Sequence, residues 1–236
     1  MTKLLVSPKN VEEARIASKV NVDIIDVKNP KEGSLGANFP WVISQIREIV
    51  PSEILISAAI GDFPNLPGSA SLAASGAHNA GADIIKVGLK GPKESNDAIN
   101  LMEKVVKSIN RNSETGQVVA CGYGDFERAD TIDIEKLPVI GKEAGVDYVM
   151  IDTAIKDGKP VTEFLTLEQL ENFVNKAHSL DLKAALAGSL GREEISQLKK
   201  LEPDVIGVRG AVCREKDRTK GMSEELIRDL RNILED

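Results

Sequence analysis

Lysines and aspartates stand at the ends of apolar, β-branched runs, an unusual place for charge. One run closes as Asp26-Val27-Lys28, another carries Lys86 inside Ile84-Ile85-Lys86-Val87, and a third ends at Asp152 with Lys156 four residues on. Charged side chains are almost never fully buried without a partner or a task. A lysine amine attacks a carbonyl only when neutral, and in water its pKa is about 10.4. Desolvation and a second ammonium nearby both lower that value, toward roughly 7–8 in catalytic cases. The neutral amine then forms a carbinolamine and an imine, which draws electrons from the neighbouring carbon. Aspartates beside it can shuttle protons, so this set suits carbonyl chemistry without a metal or an organic cofactor. For any one lysine the plainer alternative is a stem that snorkels to solvent from a strand end.

Such side chains converge only if the strands bearing them share a mouth. Eight strand-like segments run along the chain, at 3–6, 22–27, 54–60, 83–87, 117–121, 148–152, 183–187 and 205–208. Helical periodicity follows them, for example at 11–20, 41–50, 96–109, 167–180 and 224–234. Pro40 suits a first helical turn, Thr166 and Ser223 suit N-caps, and Gly81, Gly116 and Gly145 suit the passage from helix to strand. Near-continuous apolar strands point to a parallel sheet covered on its outer side. With no break in composition, the whole chain, 1–236, reads as one α/β domain, a (β/α)8 TIM barrel. An open doubly wound sheet is the alternative, but Ser7-Pro-Lys-Asn10 replaces the glycine-rich turn expected after its first strand.

Barrel active sites lie at the C-terminal ends of the strands, and alternate strands fill each interior layer. Asp26 and Lys28 are two apart and share a face, with Ile25 and Val27 turned to the helices. Strands two, four and six are all even, so Asp26 or Lys28, Lys86 and Asp152 are expected in one or two adjacent layers. The loops after strands seven and eight, Ala187-Gly-Ser-Leu-Gly191 and Val208-Arg-Gly-Ala211, suit phosphate. Gly188 and Gly210 would admit it to the backbone, while Ser189 and Arg209 would donate directly; two ordinary helix-entry turns are the alternative. His78 and His178 read as helix residues and Cys121 as a small buried hydrophobe, with Cys213 in a loop able to face the site. Lys90 and Lys93 read as loop surface, and loops 29–39 and 62–71 as lids.

A formal charge of -7 and an aromatic content of 3% argue against nucleic acid or an anionic membrane as the partner. Two cysteines and two histidines, well separated, offer neither a disulfide framework nor a zinc site. No segment is apolar for long enough to span a bilayer. The expected protein is cytoplasmic, binds a small molecule, and is a homo-oligomer.

On these residues the chain resembles the (5-formylfuran-3-yl)methyl phosphate synthase family of methanofuran biosynthesis. The resemblance is carried by Leu4-Leu-Val-Ser-Pro8, Asp26-Val-Lys-Asn-Pro30 with Gly33-Ser-Leu-Gly36, Lys86-Val-Gly88 and Cys121-Gly-Tyr-Gly124. It continues through Asp152-Thr-Ala154 with Lys156-Asp-Gly158, Ala187-Gly-Ser-Leu190 and Arg209-Gly-Ala211, and so spans essentially the whole chain. It implies condensation of two glyceraldehyde 3-phosphate molecules into a phosphorylated furan aldehyde, with loss of phosphate and water. It further implies that Lys28 forms the imine, that Lys86 accepts protons, and that Asp26, Asp152 and Lys156 assist. An aldolase or isomerase acting on sugar phosphates, or a barrel that only binds a phosphorylated ligand, would draw on the same residues.

Overall fold

The computed structural model describes residues 1–20, 22–111 and 115–235. Eight parallel strands close on themselves in chain order, β1 pairing with both β2 and β8. The strands are β1 (Lys3–Val6), β2 (Ile24–Val27), β3 (Leu55–Asp62), β4 (Ile84–Gly88), β5 (Gln117–Tyr123), β6 (Tyr148–Asp152), β7 (Lys183–Leu186) and β8 (Val205–Val208). The surrounding helices are α1 (Val11–Ser18), α2 (Pro40–Ile49), α3 (Pro67–Asn79), α4 (Ser95–Asn110), α5 (Leu137–Ala144), α6 (Leu167–Ser179), α7 (Arg192–Leu198) and α8 (Glu224–Glu235). Closure makes this the expected (β/α)8 barrel and disposes of the open sheet.

Strand alternation divides the core in two. Ile25, Val27, Ile85 and Val87 pack outward against the helices, while Leu5, Ile24, Ile84, Val119, Tyr148 and Met150 fill the barrel. Each helix turns an apolar stripe inward; on α4, Ala98, Leu101, Met102, Val105 and Ile109 recur at the three-to-four residue spacing of one face. Pro40 opens α2, and Thr166 caps α6 with its hydroxyl accepting from the Gln169 N–H at 3.2 Å.

The bottom of the barrel is held by an internal repeat. Asp23, Asp83, Asp147 and Asp204 each stand just before an even-numbered strand. Each carboxylate accepts a backbone N–H from the preceding odd strand, from Leu4 (2.9 Å), Ile56 (2.8 Å), Val118 (2.8 Å) and Ala184 (2.8 Å). These bonds satisfy strand-entry donors that burial would otherwise leave open.

Two strands run further than their apolar runs suggest. β3 reaches Asp62 and β5 reaches Tyr123, so both residues belong to the mouth. The lid expected at 62–71 is shorter than that, because α3 already begins at Pro67. Among the described residues, no helix is long and apolar enough to cross a membrane.

Candidate active site

Asp26 forms the floor of the site. It is fully buried on β2, and its Oδ2 accepts from Lys86 Nζ at 2.8 Å and from Ser7 Oγ at 2.9 Å. Its Oδ1 accepts from Ser57 Oγ at 3.0 Å. Donors from β1, β3 and β4 thus converge on one carboxylate of β2. Ser7 and Ser57 were not singled out from the sequence, although a hydroxyl at Ser57 inside Ile54-Leu-Ile-Ser-Ala-Ala-Ile60 breaks an otherwise apolar run.

The second tier is nearer the mouth. Asp152 Oδ1 accepts from Lys156 Nζ at 2.5 Å and from the Thr153 N–H at 2.8 Å, and Lys156 also donates to Thr153 Oγ1 at 3.0 Å. Burial opposes ionisation of Asp152, but the charges of Lys156 and Lys28 outweigh it and hold the carboxyl well below its usual range. Lys28 is 7% exposed, and among the described residues its amine has no hydrogen-bond partner. Burial lowers its pKa from 10.5 to about 8; Asp152 opposes that shift, and Lys86 adds to it. Asp26 therefore pairs with Lys86 in one tier, while Lys28 and Asp152 act on each other through their charges without a hydrogen bond or ion pair among the described residues.

Lys28, Lys86, Asp152 and Lys156 line a cavity of about 510 Å³ that continues to Gly188, Ser189, Arg209 and Gly210. Gly188 has φ +110, and a Cβ there would lie 3.0 Å from Thr153 Cγ2 and from Val161 Cβ, so both conformation and space call for glycine. Ser189 follows in the left-handed region at φ 52. Arg209 lines the cavity with its guanidinium partly engaged, and its Nη2 is buried without a hydrogen-bond partner among the described residues. Its Nη1 donates to Glu13 Oε2 at 3.0 Å and to the Ser7 carbonyl at 2.6 Å, and its Nε to the Arg218 carbonyl at 2.9 Å. Two of the three guanidinium nitrogens thus brace the β8 loop while the third stays unpaired, and Arg218 and Lys216 of that loop line the cavity as well.

The segment after Lys28 covers part of the mouth. Ser34 Oγ donates to the Thr153 carbonyl at 2.8 Å, and Leu35 is fully buried against the barrel interior. A Cβ on Gly36 would come within 2.2 Å of the Asn29 carbonyl oxygen, so this turn closes only with glycine. The segment at 29–39 is thus a cover, as expected of it.

The secondary candidates lie elsewhere. His78 bonds through Nδ1 to the Ala82 carbonyl and His178 pairs with Asp204. Cys121 is buried inside the barrel and Cys213 in the outer core rather than facing the cavity; burial pushes both thiols up. Lys90 and Lys93 are exposed, Lys93 against Asp130.

The profile of the family described as 4-HFC-P synthase matches residues 4–231. The (5-formylfuran-3-yl)methyl phosphate synthase of Methanobrevibacter smithii is 52% identical over 218 residues, covering 92% of each chain. The protein of the same name from Methanocaldococcus jannaschii is 51% identical over 231 residues, covering 98% of each. Among solved structures, 3-hexulose-6-phosphate synthase superposes with a TM-score of 0.63 at 18% identity, over 99% of this chain and 100% of that one. KGPDC from Streptococcus mutans gives 0.67 at 16% identity, over 100% and 98%. At such identity these two likenesses speak to the fold alone.

Proposed function

The chain belongs to the (5-formylfuran-3-yl)methyl phosphate synthase family, and from that premise we propose that it condenses two molecules of glyceraldehyde 3-phosphate into the furan phosphate through an imine on Lys28. The observation that carries this reading is the Lys28 amine, buried at the cavity wall, without a hydrogen-bond partner among the described residues, its pKa lowered to about 8. At pH 7 a pKa of about 8 leaves roughly a tenth of the amine neutral, against about 0.03% for an unperturbed lysine. The lowered pKa thus raises the reactive fraction about 300-fold.

One triose, in its ketone form, loses its carbonyl oxygen as water when the Lys28 amine adds to it. The protonated imine acidifies the neighbouring carbon. Loss of a proton there sends the electron pair through the imine system and expels phosphate from the far carbon. The resulting enamine attacks the carbonyl carbon of the second triose, also in its ketone form. The C1 hydroxyl of that triose closes the ring on the imine carbon. Expulsion of Lys28 with loss of one more water gives the aromatic furan with its phosphomethyl arm at ring carbon 3.

Lys86, held by Asp26, is the proton acceptor beside the imine. Asp152 and Lys156 move protons in the dehydrations, and their pairing keeps the carboxylate ionised at neutral pH. The phosphate retained in the product rests on the backbone of Gly188, Ser189 and Gly210. Arg209 supplies positive charge from beneath and Arg218 from the loop. None of these steps calls for a metal or an organic cofactor.

Release of inorganic phosphate from glyceraldehyde 3-phosphate tests the reaction. One phosphate per furan, lost in Lys28→Ala, is expected. Turnover without phosphate release would mark an aldolase or isomerase instead.

A further inference from the structure

The reaction needs triose phosphate in its ketone form, and Lys86, the proton acceptor assigned so far, serves the imine, so that conversion calls for a base of its own. A candidate stands at the end of β3, between β2 and β4. Ala59 of β3 pairs with Lys86, yet Asp62, three residues on, pairs with Gly88, only two residues on. The extra residue makes a bulge, at which Gly61 takes φ +113. By simple alternation Ala59 and Gly61 would face inward and Asp62 outward; the bulge reverses this and turns Asp62 into the barrel.

Tyr123 comes to meet it from β5. It is fully buried, lies two residues beyond the interior Cys121, and donates its hydroxyl to Asp62 Oδ1. Gly88 is the floor under both. A Cβ there would lie 2.1 Å from Asp62 Oδ1 and 2.5 Å from the Tyr123 hydroxyl. Only glycine lets the pair close over β4, one interior step toward the mouth from Lys86. Gly33 of the covering turn stands beside this pair: a Cβ there would sit 3.5 Å from Asp62 Oδ2. Among the described residues Oδ2 accepts no hydrogen bond.

The other two carboxylates are already engaged. Asp26 accepts from three donors, and Asp152 is held well below its usual range by Lys156 and Lys28. Burial instead raises the Asp62 carboxyl, against the Tyr123 hydrogen bond and the Lys90 charge. A stronger base results, nearer the pH at which it must work.

We infer that Asp62, positioned by Tyr123, is the base that interconverts the aldehyde and ketone forms of triose phosphate before the condensation on Lys28; the inference rests on the proposed reaction. Asp62 Oδ2 takes the proton from C2, and the electron pair of that bond moves to the C1 oxygen as an enediolate. Lys86, two residues back on β4, donates a hydrogen bond to that oxygen. The carboxyl returns its proton to C1 while the proton of the C2 hydroxyl passes to the C1 oxygen. One C–H bond breaks and one forms, and no external oxidant or reductant takes part.

The test compares furan formation from glyceraldehyde 3-phosphate alone with its formation when the ketone isomer, dihydroxyacetone phosphate, is also supplied. Asp62→Asn is expected to lose about a hundredfold or more in the first assay. The second assay should rescue it, and borohydride should still trap the ketone on its Lys28. Unimpaired turnover of Asp62→Asn on the aldehyde alone overturns the inference. So does inactivity in both assays with the Lys28 adduct still forming. If Asp62→Asn forms no adduct, Tyr123→Phe decides. Without its hydrogen bond the Asp62 pKa rises, so the acidic limb must move to higher pH in the first assay only. An unmoved limb refutes the idea. Failure of the unmodified protein to make furan under either condition would instead condemn the proposed reaction itself.

Discussion

Replacing Lys28 with methionine should destroy activity and yet stabilise the fold at neutral pH. The unfolded chain carries Lys28 with a pKa near 10.5, the folded protein with one of about 8. Below pH 8 the folded state must therefore hold a buried ammonium at a cost set by that difference, on the order of 3 kcal/mol. Methionine has a similar length and no charge to desolvate. Its gain is smaller than the whole shift, because Asp152 loses one of the two lysines that keep it ionised. A net gain of about 1–3 kcal/mol remains, or roughly 2–10 °C in Tm for a domain of this size. The unfolded state binds more protons than the folded state between pH 8 and 10.5, so the native protein recovers stability as pH rises through that window. The difference between the two proteins must shrink accordingly and vanish above it. Denaturant unfolding of both at pH 7 and at pH 10.5 reads this directly. A Lys28→Met protein less stable than its parent at pH 7, or a difference independent of pH, would refute the reasoning that burial depresses this amine.

Asp152 raises the Lys28 pKa, so Asp152→Asn should move the pH midpoint of imine trapping below 8, measured as borohydride capture against pH; a midpoint moved upward would contradict the arrangement. Gly88→Ala places a methyl group where the Asp62–Tyr123 pair meets, and should cost about 1–3 kcal/mol of stability in denaturant titration. Glu13→Gln leaves the buried Arg209 guanidinium without its carboxylate. A loss of roughly 3–5 kcal/mol is expected, together with a raised KM for the phosphorylated substrate.

The barrel was legible because local signals agree with one another: eight apolar runs, helical stripes between them, and caps where helices begin. The lysines were legible for a related reason, since alternation places Asp26 and Lys28 on the face that Ile25 and Val27 avoid. Asp62 was read as loop because a bulge shifts the alternation by one residue, and no apolar run betrays that shift. Tyr123 was passed over with it, since Gly122 and Gly124 around it look like the start of a loop. The role of Arg209 depends on Glu13, 196 residues away in sequence, and no local pattern announces that pairing. The four aspartates beneath the barrel repeat with the even strands, but each alone resembles an ordinary polar turn residue.

The central claim is that Lys28 is the covalent residue. Incubation with glyceraldehyde 3-phosphate and borohydride, followed by peptide mass spectrometry, tests it most directly. The account predicts a reduced triose adduct on Lys28, absent in Lys28→Ala and absent from Lys86 and Lys156. An active protein with no adduct, or with the adduct on Lys86 or Lys156 alone, would contradict it.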